Sequence, residues 1–212
     1  MIANELNSHL AERELLEAAA RGDGEAFYEL VRPCERSVFM AALSIVGNDA
    51  DAEEIAQEAV LKAFKHIGRF RGEAKFSTWL VQIAINEARM KVRKGRRHLH
   101  ESIDDGQRTE DGDYIPRDFA DWREIPSEAL EQKELRDAIR KAMNELPEKY
   151  RSVFVLRDVQ RFSIQETARL LSITEANVKT RLSRARLKMR DALAPGWGAP
   201  WASTLSTSEE VA

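Results

Sequence analysis

The stretch SIQETARLLSITEANVKTRLSRARLKMR, residues 163–190, predicts two short helices joined by a tight turn. Ser163 and Glu166 have the spacing of a capping box, in which the hydroxyl and the carboxylate each accept a hydrogen bond from a backbone N–H at the helix start. Thr174 can cap the second helix in the same way. Helical spacing predicts one buried stripe in each segment: Ile164, Thr167, Ala168 and Leu171 in the first, and Val178, Leu182, Ala185 and Met189 in the second. We therefore expect a helix-turn-helix.

The second helix of this pair carries a strong positive charge. Six lysines and arginines and no acidic residue lie between Asn177 and Arg190. A charge run of this kind is often only a solvated surface. Here it accompanies a capped helix pair and short polar side chains near the helix N-terminus. The combination favours a helix that meets DNA phosphates and reads base edges in a groove.

The overall charge hides a segregation along the chain. The 212 residues have a formal net charge of only −3, which is unusual for a DNA-binding protein. Residues 101–126, however, hold nine acidic residues against three arginines. The basic helix pair and this acidic segment therefore cancel in the sum, and each must be considered by itself. The length and the 43% hydrophobic content allow one or two folded domains.

Several classes of site are not expected. Cys34 is the only cysteine, and the four histidines are scattered, so the sequence predicts no intrachain disulfide, no zinc site and no other cofactor. No catalytic arrangement of side chains is recognisable. The N-terminus lacks the pattern of a signal peptide, and no apolar run approaches the roughly 20 residues that span a bilayer. We expect a cytoplasmic protein without membrane insertion.

Before the acidic segment, the periodicity predicts four helical stretches. They cover residues 10–20, 25–46 with a kink at Pro33, 49–67, and 76–94 with a stop at Gly95. The third has acidic first turns and an exposed side with Glu54, Gln57, Glu58 and Lys62, which either serve capping and solubility or meet a partner. The fourth ends in a basic run, in which residues 90–97 contain five basic residues and no acid. That run either compensates the helix dipole or meets nucleic acid.

The second half predicts a separate helical unit. Residues 98–126 lack apolar periodicity and are interpreted as a flexible acidic linker. Helices are predicted over 127–146 and 148–158, with Pro147 at the first position of the latter, and the helix pair above completes a four-helix domain. The fold class is therefore all-α, with two small helical domains over 1–97 and 127–193, and with a tail over 194–212 that contains Trp197 and Trp201.

Four segments in this order resemble the sigma-70 family of bacterial transcription initiation factors, in particular its extracytoplasmic function (ECF) group. They are DAEEIAQEAVLKAFKHI at 51–67, FRGEAKFSTWLVQIAIN at 70–86, LPEKYRSVFVLRDVQRFSIQETA at 146–168 and VKTRLSRAR at 178–186. The resemblance covers nearly the whole chain. It implies region 2 in the first domain and region 4, with its helix-turn-helix, in the second.

The resemblance implies a function and three sets of contacts. Such a factor binds core RNA polymerase, recognises the −35 and −10 promoter elements and helps to open the DNA. The contacts to core polymerase fall on Asp51, Glu54, Gln57, Glu58 and Leu61. Those to the −10 element fall on Trp79, Asn86, Arg89, Lys91 and Arg93, with Asn86 aligned to the asparagine that reads an unpaired base. Those to the −35 element fall on Lys179, Thr180, Arg181, Ser183 and Arg184.

The implied partners are core RNA polymerase, promoter DNA and an anti-sigma factor, with a monomer in the free state. Ser183, Glu87 and the long acidic linker depart from common members, so the promoter sequence does not carry over. An alternative is a transcription regulator whose helix-turn-helix binds an operator without core polymerase. An enzyme is a further alternative, but neither a Ser/His/Asp arrangement nor a phosphate-binding glycine loop supports it.

Overall fold

A computed structural model describes residues 2–101 and 137–193, with side chains described for 11–95 and 137–193. Within these residues every regular element is helical, which confirms the all-α class. No helix there is long and apolar enough to cross a membrane. The part of the predicted linker from 102 onwards, the first ten residues of the predicted 127–146 helix and the tail lie outside the described residues.

Five helices build the N-terminal half. They are α1 (Ile2–Ala20), α2 (Gly24–Val31), α3 (Glu35–Val46), α4 (Asp49–His66) and α5 (Phe76–Glu101). The predicted kink is confirmed, because Pro33 lies in a 3₁₀ turn, Arg32–Cys34, that separates α2 from α3. A second 3₁₀ turn, Ile67–Arg69, follows α4. Gly47 ends α3 with a φ of 81°, a left-handed conformation that suits glycine.

Helix α3 lies at the centre of this half, packed against both α4 and α5. Its Val38, Ala41 and Ala42 are completely buried, as are Leu80 and Ile85 of α5. Small alanines also line the facing side of α4 and let the helices approach closely. The buried stripe of α4 consists of Ile55, Ala59 and Ala63 and continues in Ile67 of the following turn, whereas Val60 is half-buried and Phe64 is 38% exposed.

The C-terminal half contains α6 (described over 137–145), α7 (Glu148–Phe154), α8 (Ile164–Leu171) and α9 (Glu175–Leu193). A π-turn, Val155–Val159, ends α7. The apolar core is continuous between the two halves, because α3 packs against α7 and α5 packs against α8.

Predicted helix boundaries differ from the structure at α1 and α5. The first helix begins at Ile2, eight residues before the prediction. Helix α5 continues through Gly95 to Glu101 and so includes the first residues of the predicted linker. Gly95 does not adopt the positive φ that is common in a glycine at a helix end. Its neighbours are lysines and arginines, which have a high helix propensity and favour continuation of the helix. Helix α7 begins at Glu148 as predicted, but Pro147 is its N-cap and not its first helical residue.

Candidate functional site

The helix-turn-helix is built as its capping residues predict. The Ser163 hydroxyl accepts a hydrogen bond from the Glu166 N–H at 3.1 Å, and the Glu166 carboxylate accepts one from the Ser163 N–H at 2.8 Å. The hydrogen bond from the Ser163 N–H is the largest of the effects that lower the pKa of the Glu166 carboxyl group. Ser172 ends α8 in the left-handed region, with a φ of 53°. Thr174 then caps α9 by accepting the Asn177 N–H at 3.2 Å.

Helix α9 has one buried face and one open face. The predicted stripe of Val178, Leu182, Ala185 and Met189 is buried throughout, which confirms the face assignment. Four of the five predicted −35 residues are exposed, namely Lys179, Thr180, Ser183 and Arg184, whereas Arg181 is half-buried at the side of the helix. A bidentate pair of Arg186 with Asp158, at 2.8 Å for each bond, fixes α9 against the π-turn. The basic helix therefore presents a defined outer surface.

Arg184 is also held from within the domain. Its side chain approaches the hydroxyl of Tyr150 on α7, and this interaction is the largest of the effects that lower the pKa of Tyr150. The Lys149 ammonium lies 5.0 Å from the centre of the same ring. Sequence reasoning did not find Tyr150, because its partner lies far along the chain and no local pattern joins them.

The face of α4 that was assigned to core polymerase is open to solvent. Glu54, Gln57 and Glu58 are exposed, Leu61 is 59% exposed, and Asp51 is half-buried at the start of the helix. An exposed leucine among charged neighbours leaves an apolar contact point unused within the described residues. The arrangement is a mixed apolar and acidic surface on a rigid helix.

Ion pairs join this face to α5, an arrangement that the sequence did not reveal. The Lys91 ammonium lies 2.6 Å from a carboxylate oxygen of Asp51 and 2.6 Å from one of Glu54. The hydrogen bond from Lys91 is the largest of the effects that lower the pKa of Asp51. One turn further along, Lys62 of α4 lies 3.0 Å from Glu58 and 2.5 Å from Glu87 of α5. Ion pairs therefore link the predicted core-polymerase surface, at Asp51 and Glu54, to the predicted −10 surface, at Lys91.

The predicted −10 residues differ in their exposure to solvent and in whether they are already paired. Asn86 and Arg93 are exposed, and Trp79 is half-buried against Phe70 and Phe76, with ring centres at 5.2 and 5.9 Å. Lys91 is paired as described, and Arg89 is half-buried. The Gln82 amide donates to the Asn86 side-chain oxygen at 3.1 Å and so orients it. Gln82 was not among the predicted residues, although its i, i+4 spacing to Asn86 places the two on one face.

Comparisons with known proteins agree with this geometry. Residues 30–98 match the family described as Sigma-70 region 2, and residues 136–189 match Sigma-70, region 4. The chain is 32% identical over 187 residues to RNA polymerase sigma-H factor of Pseudomonas aeruginosa, covering 87% of this chain and 94% of that one. It is 30% identical over 181 residues to the ECF RNA polymerase sigma factor SigW of Bacillus subtilis, covering 85% and 96%.

Two solved structures have the same fold. One is the sigma factor RpoE in complex with the anti-sigma factor NepR from Bartonella quintana, with a TM-score of 0.62 and 23% identity over 79% of this chain and 96% of that chain. The other is CnrH in complex with the cytosolic domain of CnrY, with a TM-score of 0.58 and 23% identity over 88% and 99%. The chain therefore belongs to the sigma-70 family, in its ECF group, and is a sigma factor that directs promoter-specific initiation of transcription.

Proposed function

We propose that this sigma factor divides its work among three helices. The exposed face of α4 binds core RNA polymerase, the face of α5 around Asn86 holds the opened −10 strand, and the outer face of α9 reads the −35 element. The observation that carries the proposal is the form of α9, where an open polar and basic face backs onto a fully buried stripe in a capped helix-turn-helix.

This geometry supports the proposed reading of duplex DNA by α9. An α-helix fits the major groove, where each base pair presents a distinct set of donors and acceptors. The short side chains of Thr180 and Ser183 allow the backbone of α9 to approach the bases, while Lys179 and Arg184 supply positive charge beside them. Phosphate contacts position the helix, and base-edge contacts specify the sequence.

Strand capture needs a different surface, because the edges of paired bases are occupied until the duplex opens. The Asn86 amide can donate to and accept from the edge of an unpaired base, and Gln82 holds it in one orientation. The aromatic group of Phe70, Phe76 and Trp79 supports the start of α5, about two turns before Asn86. Arg93, exposed further along the helix, is suited to the phosphates of the captured strand.

The proposal includes the setting in which the factor works. It acts in the cytoplasm as a non-catalytic subunit of the polymerase, and an anti-sigma protein is its regulatory partner. The relatives' names and the two solved complexes of other sigma factors with their partners support this view.

Transcription with purified core polymerase tests the proposal. Run-off reactions with mapped starts first define the promoters. Asn86→Ala should then impair transcription from duplex templates more than from templates already mismatched at −10. Leu61→Gln should weaken core binding, whereas the matched control Leu61→Met should retain it. Wild-type activity of Asn86→Ala on both templates would remove Asn86 from strand capture, and unchanged core affinity of Leu61→Gln would remove this part of α4 from the interface.

A further inference from the structure

The two halves of the molecule are joined by more than chain connectivity. Buried residues of the C-terminal half belong to the same apolar core as Val38 of α3 and Leu80 of α5; they are Val153, Leu156, Ala168, Leu170, Leu171, Val178 and Leu182. The contact therefore removes apolar surface of both halves from water, which favours the packed arrangement. Three polar contacts at its edge fix the register.

Arg151 of α7 crosses this boundary to the end of α3. Its Nε donates to the Ser44 carbonyl at 2.8 Å, and its Nη2 donates to the Ile45 carbonyl at 3.3 Å. Carbonyls in the last turn of a helix lack intrahelical partners, and the helix dipole favours a cation there. Gly47 provides the space, because a Cβ at this position would lie 2.9 Å from the Arg151 Nη2.

Arg89 of α5 makes the mirror-image contact to the end of α8. Its Nη2 donates to the Leu171 carbonyl at 2.7 Å, and the neighbouring Gln82 Nε2 donates to the Leu170 carbonyl at 3.3 Å. Each half thus contributes one arginine that caps a helix of the other half. Burial lowers the pKa of both guanidinium groups, and the Glu148 carboxylate opposes that effect at both.

A third contact pairs Ser37 of α3 with Gln160 after the π-turn. The Ser37 hydroxyl donates to the Gln160 side-chain oxygen at 2.5 Å, and the Gln160 amide donates to the Ser37 carbonyl at 3.1 Å. Both hydrogen-bonding groups of the glutamine amide are therefore satisfied across the boundary. This pairing specifies one relative position of α3 and the π-turn.

We propose that Arg89 and Arg151 form a reciprocal latch that closes the two domains on each other and withholds Gln82 and Arg89 of the strand-binding face of α5 from DNA, while Asn86 stays exposed. Gln82, Asn86 and Arg89 have i, i+4 and i+7 spacing and share one face of α5. Two of these three side chains donate to the end of α8 in the closed form. Arg89 cannot make this contact and meet a DNA strand at the same time. The proposal rests on the role assigned to α5 above.

The closed form restricts one surface and leaves the other two open. The Glu54, Gln57 and Glu58 face of α4 is exposed, and so are Lys179 and Ser183 of α9. Core polymerase can therefore reach its site on the closed factor. The domains must separate before α5 receives the −10 strand, so the latch makes strand capture depend on an opening step.

The distance between the domains tests whether the latch exists. Spin labels would be attached to the full chain through Ala50→Cys on α4 and Ala192→Cys on α9, which replace exposed residues. Burial raises the pKa of the Cys34 thiol to about 11 and makes it a poor target for the label. Cys34 would still be changed to alanine, so that only the two introduced cysteines can react. The double variant Arg151→Ala/Gln160→Ala should give a longer and broader distance distribution than the parent. Arg140→Ala, at an exposed arginine of α6, is the control and should match the parent. A double variant with the parent's narrow distribution would overturn the latch.

A reversible lock tests whether closure inhibits strand binding. Ser37→Cys and Gln160→Cys, in the Cys34→Ala chain, would be joined by a short, reducible bis-methanethiosulfonate crosslinker. The probe is a single-stranded oligonucleotide carrying a −10 element mapped with core polymerase. The locked protein should bind it at least tenfold more weakly than the reduced protein, and Arg151→Ala/Gln160→Ala should bind it more tightly than wild type.

The outcomes separate the latch from the proposed function. Equal binding by locked and reduced protein would overturn inhibition by closure. If no form binds the strand, with or without core polymerase, both the assigned role of α5 and the inhibitory effect are refuted. The label distances still decide independently whether the two arginines hold the domains together.

Discussion

Arg184 shows how a side chain that the sequence assigns to DNA can also depend on a distant residue. Its charge, helix and exposed position could all be predicted, since they follow from local spacing. The interaction with the Tyr150 hydroxyl could not be predicted, because it depends on how α9 packs against α7. Anchoring one end of a long side chain reduces the conformational freedom lost on binding, so Tyr150 would prepare Arg184 for the DNA contact proposed above.

A double-mutant cycle tests this coupling. Arg184→Ala should cost about 1 to 3 kcal/mol at the −35 element if the guanidinium reads a base. Tyr150→Phe keeps the ring but removes the hydroxyl, and it should weaken −35 binding by a smaller factor. Binding of the polymerase holoenzyme to −35 variants, measured for both single variants and the double variant, checks the prediction. If Tyr150→Phe weakens binding equally with and without Arg184, the two residues are not coupled. A uniform loss across all −35 sequences, with a weaker salt dependence, would make Arg184 a phosphate contact.

The ion pair of Asp51 with Lys91 predicts a pH dependence of stability. The pKa of Asp51 is lowered in the folded protein from its ordinary value of 3.8, chiefly by the hydrogen bond from Lys91. A lowered carboxyl pKa stabilises the fold at pH values above the unfolded value, and this contribution is lost as the pH falls through the folded pKa. Because the two side chains remain 33% and 38% accessible to solvent, which screens the pair, its contribution should be only about 0.2 to 1 kcal/mol.

Urea unfolding between pH 3 and pH 7 checks that prediction. Asp51→Asn should be less stable than wild type at pH 7, and the difference should shrink as the pH falls below about 4, the ordinary range of an aspartate. Asp49→Asn, on the same first turn of α4, is the matched control. A difference that is constant over the whole range would assign the effect of Asp51→Asn to something other than its ionisation.

At the level of helices, capping signals predicted starts better than glycine predicted ends. Ser163 and Thr174 specify their helix starts because the bonds that they make are local. Gly47 does end α3, but Gly95 lies inside α5, since a glycine permits a left-handed residue without requiring one. The π-turn after α7 was also beyond prediction. It is held by packing and by the Arg186 pair, which form only in the assembled domain.

The cap of α8 has a measurable effect of its own. Ser163→Ala removes the hydroxyl that accepts the Glu166 N–H and should destabilise the protein by about 0.5 to 2 kcal/mol, as is usual for an N-cap serine. Ser183→Ala, at an exposed position within α9, should change stability by much less, because alanine is the better helix former. Chemical denaturation of both variants compares them. Equal stabilities of the two variants would show that the capping box contributes little in this fold.

For the whole molecule, the sequence predicted two helical units but not that they share a core. Each stripe of apolar residues indicates a buried face of a helix but does not indicate which element packs against that face. Ser37 contacts Gln160, which is 123 positions further along the chain. A separation of that size leaves no periodic signal. The surface on α9 was predicted from its own pattern and the surface on α4 from the family resemblance, whereas the contacts that relate α5 to α8 required the fold.

The shared core predicts how the protein behaves once the chain between the domains is cut. A protease site placed within residues 102–126 would yield two fragments after cleavage of the folded protein. Because the contact buries apolar side chains of α3, α7 and α8 and adds the arginine caps, the fragments should remain associated at micromolar concentration. Size-exclusion chromatography and analytical ultracentrifugation check this. Arg151→Ala/Gln160→Ala should release the fragments at lower dilution than the parent, whereas Arg140→Ala should not. Immediate separation of the parent fragments would mean that the domains are held together only by the effective concentration that the intact chain provides.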